Sequence, residues 1–494
     1  MLHERIHRND LLQRVISREE AASRIKNGMV VATSGFTKAG DSKEVLPAVA
    51  ERALTHPLKI TLMTGASLGH GTDGKLAEAG ALAMRLPFQV DPVLRRKIND
   101  GEVLFIDQHL SETAEYIKAG HFPPIDYAII EAAQILADGS IVPTTSVGNS
   151  AIFCQLARRI IIEVNTVVPL SVAGVHDIFS AGTYPNRTVI PILSPDCRIG
   201  RPSIPVDPEK IEGIVITNIR DSAAEAASGD ASTAKIAGHL MDFFSWEVTK
   251  GRLKESLQPL QAGIGKVANS ILRGFVDSRF HDLTMYSEVL QDSTFDLFDA
   301  GKLNFASGSS ITLSESYYDK VFGDFGKYKN RLILRPQEIS NSVGVIRRLG
   351  VISINTALEC DIYGNVNSTH VTGTHMMNGI GGSEDFARNS YLSIFVTSSV
   401  AKGGAVSSVV PMVSHVDHTE HDVDIIVTDE GLADLRGLSP RQRARVIIEN
   451  TVHRDYRERL QSYFERAVKR GGHTPHLLEE ALSWHRSLQE TGRM

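Results

Sequence analysis

Cysteine, tryptophan and long apolar runs are all scarce in this chain. Its three cysteines, Cys154, Cys197 and Cys360, are scattered through 494 residues and none belongs to a CxxC pair. So sparse and odd a set offers no disulfide framework and suits a reducing compartment. There is no run of about 18 apolar residues, so no membrane-spanning helix is expected. The opening Met1-Leu2-His3-Glu4-Arg5 is polar and leads into no apolar signal segment, which predicts a cytoplasmic location. Basic residues are dispersed and the formal net charge is −6, so nothing points to nucleic acid as a partner. A Walker A pattern is absent, and Gly65-x-x-x-Gly69 does not make a dinucleotide fingerprint.

What is present is an ordinary globular composition, 42% hydrophobic and 22% charged. The length exceeds what one core supports and predicts two domains. Short apolar runs at Gly28–Thr33, Lys59–Met63, Val103–Ile106, Tyr127–Glu131, Ile160–Val164 and Ile211–Thr217 alternate with helix-like segments. That rhythm implies βα units around a mainly parallel sheet. Ser222–Thr233 is small, polar and unpatterned, and the domain boundary is placed there, giving domains 1–222 and 223–494. Further strands are expected at Arg331–Leu334, Val351–Asn355, Ser393–Val396, Ser407–Val410 and Val423–Val427. Ser439-Pro440 reads as an N-cap and first helical residue of a helical C-terminal region, Arg441–Gln489, broken near Gly471-Gly472.

Leu283–Gln291 reads as one buried strand interrupted by a carboxylate, Glu288. A charge there is costly unless it is paired, hydrogen-bonded or set at a ligand cleft. The helix-like run after it puts Glu288 near the carboxyl end of the strand, the edge where open α/β sheets bind ligands. A strand-end Glu satisfied by an Arg or by backbone N–H groups is the bland reading; a carboxylate nucleophile is the functional one. Gly263-x-Gly265-x-x-Ala268 resembles a dinucleotide fingerprint, but the preceding stretch contains Pro259 and does not read as a strand. It is expected to be a glycine turn feeding a helix over Val267–Arg273.

Tyr286-Ser287-Glu288-Val289, Gly263-Ile264-Gly265 and Asn378-Gly379-Ile380-Gly381-Gly382-Ser383 strongly resemble the class I coenzyme A transferases, in the acetyl-CoA hydrolase/transferase branch. The resemblance runs from Ser34-Gly35-Phe36-Thr37 to His473-Thr474-Pro475-His476. It implies two tandem open α/β domains with a cleft between them and a C-terminal helical extension. It also implies a homodimer acting on acyl-CoA and short carboxylates, with no cofactor beyond substrate CoA and no metal. On this resemblance Glu288 is the nucleophile, Gly382 gives an oxyanion-hole amide and Asn341 a side-chain donor. CoA is expected at Gly263, Ile264, Gly265, Lys266, Val267, Leu358, Asn378, Gly382 and Lys402. The carboxylate pocket is expected at Ser67, Val90, Ser222 and Asp429. Departures stand beside the match: Val90 for a Thr, Ser222 for an Arg, Asp429 for a Glu, Lys266 for a frequent Asn and Glu384 for a usual Gly. Loss of the Arg removes a bidentate partner for a distal carboxylate, so short monocarboxylates are expected to be preferred over dicarboxylates.

Other classes remain at this point. An acetyl-CoA hydrolase would use the same Glu with water as acceptor. A metal-dependent hydrolase is suggested by Ser414-His415-Val416-Asp417-His418-Thr419-Glu420-His421-Asp422, although the spacing matches no HExxH-type motif. A noncatalytic CoA-binding protein would leave the conjunction of Glu288 with the glycine loops unexplained.

Overall fold

A computed structural model describes residues 2–224 and 229–494. The expected boundary stretch, Ser222–Thr233, thus includes four residues, 225–228, that lie outside the described ones. The chain forms two compact units. The first comprises Met1–Ala226, Met285–Phe295 and Asn304–Arg348; the second comprises Ala227–Thr284, Asp296–Leu303 and Leu349–Met494.

The first unit is built on seven parallel strands: β1 (Val30–Thr33), β2 (Ile60–Met63), β3 (Leu82–Leu86), β4 (Leu104–Phe105), β5 (Tyr127–Ala132), β6 (Arg159–Asn165) and β7 (Ile211–Thr217), ordered β4-β3-β2-β1-β5-β6-β7. The order reverses at β1, and helices connect the strands. β5 is buried throughout, as expected of a parallel strand covered on both faces. β3 went unrecognised in the sequence because Arg85 interrupts its apolar run. Arg85 is fully buried and its guanidinium is saturated by Asp73, the Thr64 hydroxyl and the Leu86 and Ala66 carbonyls.

The second unit contains β8 (Leu260–Ala262). The chain then runs from the second unit into the first within β9 (Leu283–Tyr286). In the first unit lie β10 (Val289–Leu290), which pairs in parallel with β12 (Ser310–Ile311), and all but the first residue of β11 (Leu303–Gly308), which pairs in parallel with β13 (Leu332–Leu334). The second unit continues with β14 (Ile352–Thr356), β15 (Leu392–Val396), β16 (Ile425–Thr428) and β17 (Gly431–Asp434). Strands β8, β14, β15 and β16 pair in parallel in that order, and β17 closes the edge antiparallel. The expectation that no strand precedes Gly263 is therefore corrected. The three residues after Pro259 bury completely, and the loss of one N–H to proline is tolerated at a strand's start.

Three helices, Pro440–Thr451, Arg454–Arg470 and Ser483–Thr491, form the C-terminal region. The first starts where Ser439 and Pro440 predict, with Gln442 completing a capping box. Ile447, Ile448, Leu460, Phe464 and Trp484 join one core with Phe395, Ile426 and Tyr363 of the same unit. No described helix is long and apolar enough to cross a membrane.

The first unit holds a buried ionic cluster. Glu131 of β5 faces Glu163 of β6 in register. Glu163 accepts from the backbone N–H groups of Lys43 at 2.7 Å and Val45 at 2.9 Å, satisfying the start of helix Val45–Ala53. Lys43, fully buried, places its ammonium 2.7 Å from Glu131 and 2.9 Å from Asp221. Burial pushes the Glu131 carboxyl up to about 7 against the pull of Lys43. Replacing Lys43 with Met removes the ammonium paired with Glu131 and Asp221 at a cost of about 3–5 kcal/mol. The expected outcome is a clearly lowered urea midpoint for this unit; a wild-type midpoint would refute the cluster's structural role.

Candidate active site

Glu288 occupies a break in the strand, which corrects the reading of Leu283–Gln291 as continuous. β9 ends at Tyr286, β10 begins at Val289, and Ser287-Glu288 form the corner between them. The backbone of this corner is committed elsewhere. The Ser287 N–H donates to the Ser307 carbonyl at 2.8 Å, and the Glu288 carbonyl accepts from Ser309 at 2.6 Å and Ser310 at 3.1 Å. The flanks are pinned too: Tyr286 donates its hydroxyl to the Ile339 carbonyl at 2.5 Å, and Val289 packs with Phe36, Ala66, Phe88 and Leu110.

The Glu288 side chain accepts a 2.8 Å hydrogen bond from Asn341 Nδ2. The other end of that amide is fixed, because the Ser340 hydroxyl donates to Asn341 Oδ1 at 3.0 Å. An acceptor role for Oδ1 leaves Nδ2 as the end facing the carboxylate. Ser340 was missed in the sequence; its adjacency to Asn341 was the available signal. Burial raises the Glu288 carboxyl to about 7, and the Asn341 bond only partly offsets it. Residue 288 is nonetheless half-buried, with an open side. The bland reading, a Glu neutralised by an Arg, does not describe this carboxylate, whose resolved influences are desolvation and a neutral amide.

The expected carboxylate-pocket residues of this unit follow the carboxyl ends of its strands. Ser67 follows β2 and its carbonyl accepts from Lys38 N–H at 2.9 Å, tying the loop after β2 to the loop after β1. That first loop turns sharply: Gly35 has φ +122°, and a Cβ there would lie 2.7 Å from Asp41 Cβ. Val90 follows β3 and packs on the same apolar cluster as Val289. Ser222 follows β7; its hydroxyl accepts from His70 N–H at 2.6 Å. Arg220, two residues earlier, pairs with Asp319 at 2.7 Å at the surface.

The residues expected to hold CoA lie in the second unit. Gly263, Leu358 and Lys402 follow the carboxyl ends of β8, β14 and β15, and Asp429 follows β16, so adjacent strands deliver all four to one sheet edge. Gly263 N–H donates to Ile354 at 2.9 Å, and Leu358 N–H donates to Asn367 at 2.9 Å. Gly265 precedes the helix Lys266–Gly274 at φ +102°, a conformation other residues rarely adopt. Ile264 and Lys266 are exposed and Val267 is half-buried. Lys402, also exposed, opens three consecutive left-handed residues with Gly403 and Gly404. Asp429 accepts from Ser399 N–H at 2.6 Å.

Asn378 donates its amide to the Gly379 carbonyl at 2.9 Å, and Gly382 stands just before the short helix Ser383–Ala387. Glu384, the departure beside this loop, sits 2.6 Å from Nδ1 of the buried His418. The His- and Asp-rich stretch is thus engaged in structure. Asp417 accepts from Ser368 N–H at 2.7 Å and from the Thr369 hydroxyl at 2.8 Å, and His418 pairs with Glu384. Among the described residues no group of three or more His, Cys, Asp or Glu is placed to hold a metal ion.

Comparison with known proteins identifies the family. Residues 1–216 match the acetyl-CoA hydrolase/transferase N-terminal domain and residues 316–464 its C-terminal domain. The chain is 49% identical to the succinyl-CoA:acetate CoA-transferase of Clostridium kluyveri, covering 99% of this chain and 92% of that one. It is 44% identical to the acetyl-CoA hydrolase of Candida glabrata, over 100% of this chain and 97% of that one. Among solved structures, RipA from Yersinia pestis has the same fold, with a TM-score of 0.71 at 21% identity, covering 93% of this chain and 98% of that chain. The chain is an enzyme of the class I acetyl-CoA hydrolase/transferase family.

Proposed function

We propose that this enzyme is an acyl-CoA:carboxylate CoA-transferase that works through a glutamyl-CoA thioester on Glu288. The observation that carries the reading is the half-buried Glu288 carboxylate, held at a fixed corner by one neutral amide donor. A desolvated carboxylate without a cationic partner keeps its lone pairs available for attack. Glu288 attacks the acyl-CoA carbonyl and expels CoA thiolate, leaving an acyl-glutamyl anhydride. The thiolate attacks the glutamyl carbonyl, releasing the acyl group as a carboxylate and leaving glutamyl-CoA. An acceptor carboxylate enters by the reverse sequence. Each addition develops an oxyanion, and a preorganised donor there contributes about 3 kcal/mol. Asn341 Nδ2 and the Gly382 N–H are assigned this role. The exposed Lys402 and Lys266 suit the phosphates of CoA.

A second reading, hydrolysis, uses the same nucleophile with water as the final acceptor. The name of the Candida glabrata relative favours keeping it in view. Transfer is preferred because the motifs resemble the transferase branch and one relative, 49% identical, carries that name.

The acceptor is assigned to short monocarboxylates such as acetate and propionate. Ser222 brings no cation, Arg85 is fully committed to Asp73 and neighbouring oxygens, and Val90 adds apolar surface.

The covalent step is tested by incubating the enzyme with acyl-CoA and no acceptor, then reducing with borohydride or mapping tryptic peptides by mass spectrometry. The modification is expected on Glu288. Glu288→Ala is expected to abolish transfer with the fold intact, and substantial residual transfer would refute the nucleophile.

The pH dependence follows from the carboxyl's raised value. The reactive form is the carboxylate, so kcat/KM is expected to rise with pH through about 7 and level off above it. Asn341→Ala removes the influence that lowers this value, so the rising limb moves to higher pH while the plateau falls by about 10²-fold. A flat profile below pH 7, or an unmoved limb in the variant, contradicts the assignment.

Acceptor choice is read from specificity constants for acetate, propionate and succinate, alongside CoA release without acceptor. Acetate or propionate is expected to lead. A clear preference for succinate would overturn the pocket reading, and equal CoA release with and without carboxylate would favour hydrolysis.

A further inference from the structure

The glycine loop is held by a pair that the proposed reaction does not otherwise use. His418 is wholly buried, its ring centroid 4.6 Å from that of Phe395. Its Nδ1 lies 2.6 Å from Glu384 Oε2. An ionised carboxylate can only accept, so this contact assigns the proton to Nδ1 and fixes the rotation of the ring. The other ring nitrogen, Nε2, then lies between two hydroxyls, Ser383 Oγ at 3.3 Å and Ser368 Oγ at 3.2 Å. Ser383 directly follows Gly382; its single hydroxyl proton goes to the Ile380 carbonyl at 2.9 Å, so its approach to Nε2 is a packing contact. Ser368 reaches the other end of the loop, since its carbonyl accepts from Asn378 Nδ2 at 3.3 Å. One imidazole thus links the two ends of the loop, through Ser368 beside Asn378 and through Glu384, two residues past Gly382.

We infer that Glu384 and His418 are positioning residues for CoA transfer: the Glu384 carboxylate orients His418, and His418 fixes the loop that presents the Gly382 amide. The action assigned to both residues is through the loop. The inference rests on the reading of Gly382 as an oxyanion donor and extends it to the residues that aim that donor. Glu384 stands where the resemblance leads one to expect Gly, so the carboxylate–imidazole contact is a feature of this chain's own sequence. It also accounts for the part of the His- and Asp-rich stretch that packs under the loop.

The test compares Glu384→Ala and Glu384→Gln with the wild-type full-length enzyme. Steady-state kcat and KM for acyl-CoA, the single-turnover rate of glutamyl-CoA formation and the melting temperature are measured for each. An oxyanion donor displaced by about 1 Å costs about 10- to 100-fold in rate. Glu384→Ala is expected to lower kcat and the single-turnover rate by that factor, with KM and melting temperature nearly unchanged. Glu384→Gln keeps an oxygen acceptor for Nδ1–H and is expected to recover most of the rate. An unchanged kcat in Glu384→Ala would overturn the inference. So would a loss that follows the melting temperature and that Glu384→Gln fails to rescue. Glu288→Ala, measured in parallel, separates the two readings: retained transfer there removes the nucleophile, whereas an indifferent Glu384→Ala removes only the positioning role.

Discussion

The chemistry assigned to this protein depends on one constraint, a carboxylate drawn out of water with no cation set against it among the described residues. Desolvation alone favours protonation and a slack side chain. The surroundings of Glu288 counter both tendencies. A single amide, itself oriented by the neighbouring serine hydroxyl, stabilises the anion without saturating it. The backbone on either side is held by the Ser307 carbonyl, the Ser309 and Ser310 N–H groups and the Tyr286 hydroxyl. A guanidinium in place of Asn341 would lower the carboxyl further and occupy the lone pairs needed for attack. The neutral donor is the compromise that leaves both charge and reactivity.

Much of this was legible in the residues. The strand–glycine–helix rhythm gave the parallel sheets, because parallel strands covered on both faces must be apolar throughout. Glu288 stood out for breaking such a run. Where the reading fell short, short-range pattern competed with tertiary contacts. Leu260–Ala262 was obscured by Pro259, yet its three residues are completely buried beside β14. β3 was hidden by a buried arginine whose main acceptors lie outside the strand, in the helix Thr72–Glu78 and just after β2. Leu283–Gln291 looked continuous because the hydrogen bonds that break it at Glu288 reach residues about 20 positions away. The functions of Ser340 and of the Glu384–His418 pair lie in partners that no spacing rule identifies. The same histidines and aspartates that suggested a metal are accounted for, in part, as loop anchors.

The two units also differ in how they present their candidate residues. In the first, the loops that follow β1 and β2 are knitted together by Lys38 to Ser67 and by Gly69 to Asp41 at 2.9 Å. The buried lysine beneath them keeps the same loops from splaying by neutralising the carboxylates at their base. In the second, the loops that carry Gly263, Leu358 and Lys402 stand further into solvent, and their shapes come from left-handed glycines and main-chain bonds.

The passage of the chain between units within β9 has a consequence for how this protein can be cut and recombined. Glu288 is encoded in the second half of the gene, yet its neighbour Val289 packs on Phe36, Ala66, Phe88 and Leu110 from the first quarter. A chimera joined near residue 222 would therefore pair one parent's Glu288 corner with the other parent's packing around it. Crossover points that preserve a parental site would have to carry Met285–Phe295 and Asn304–Arg348 along with the N-terminal part, two excisions rather than one.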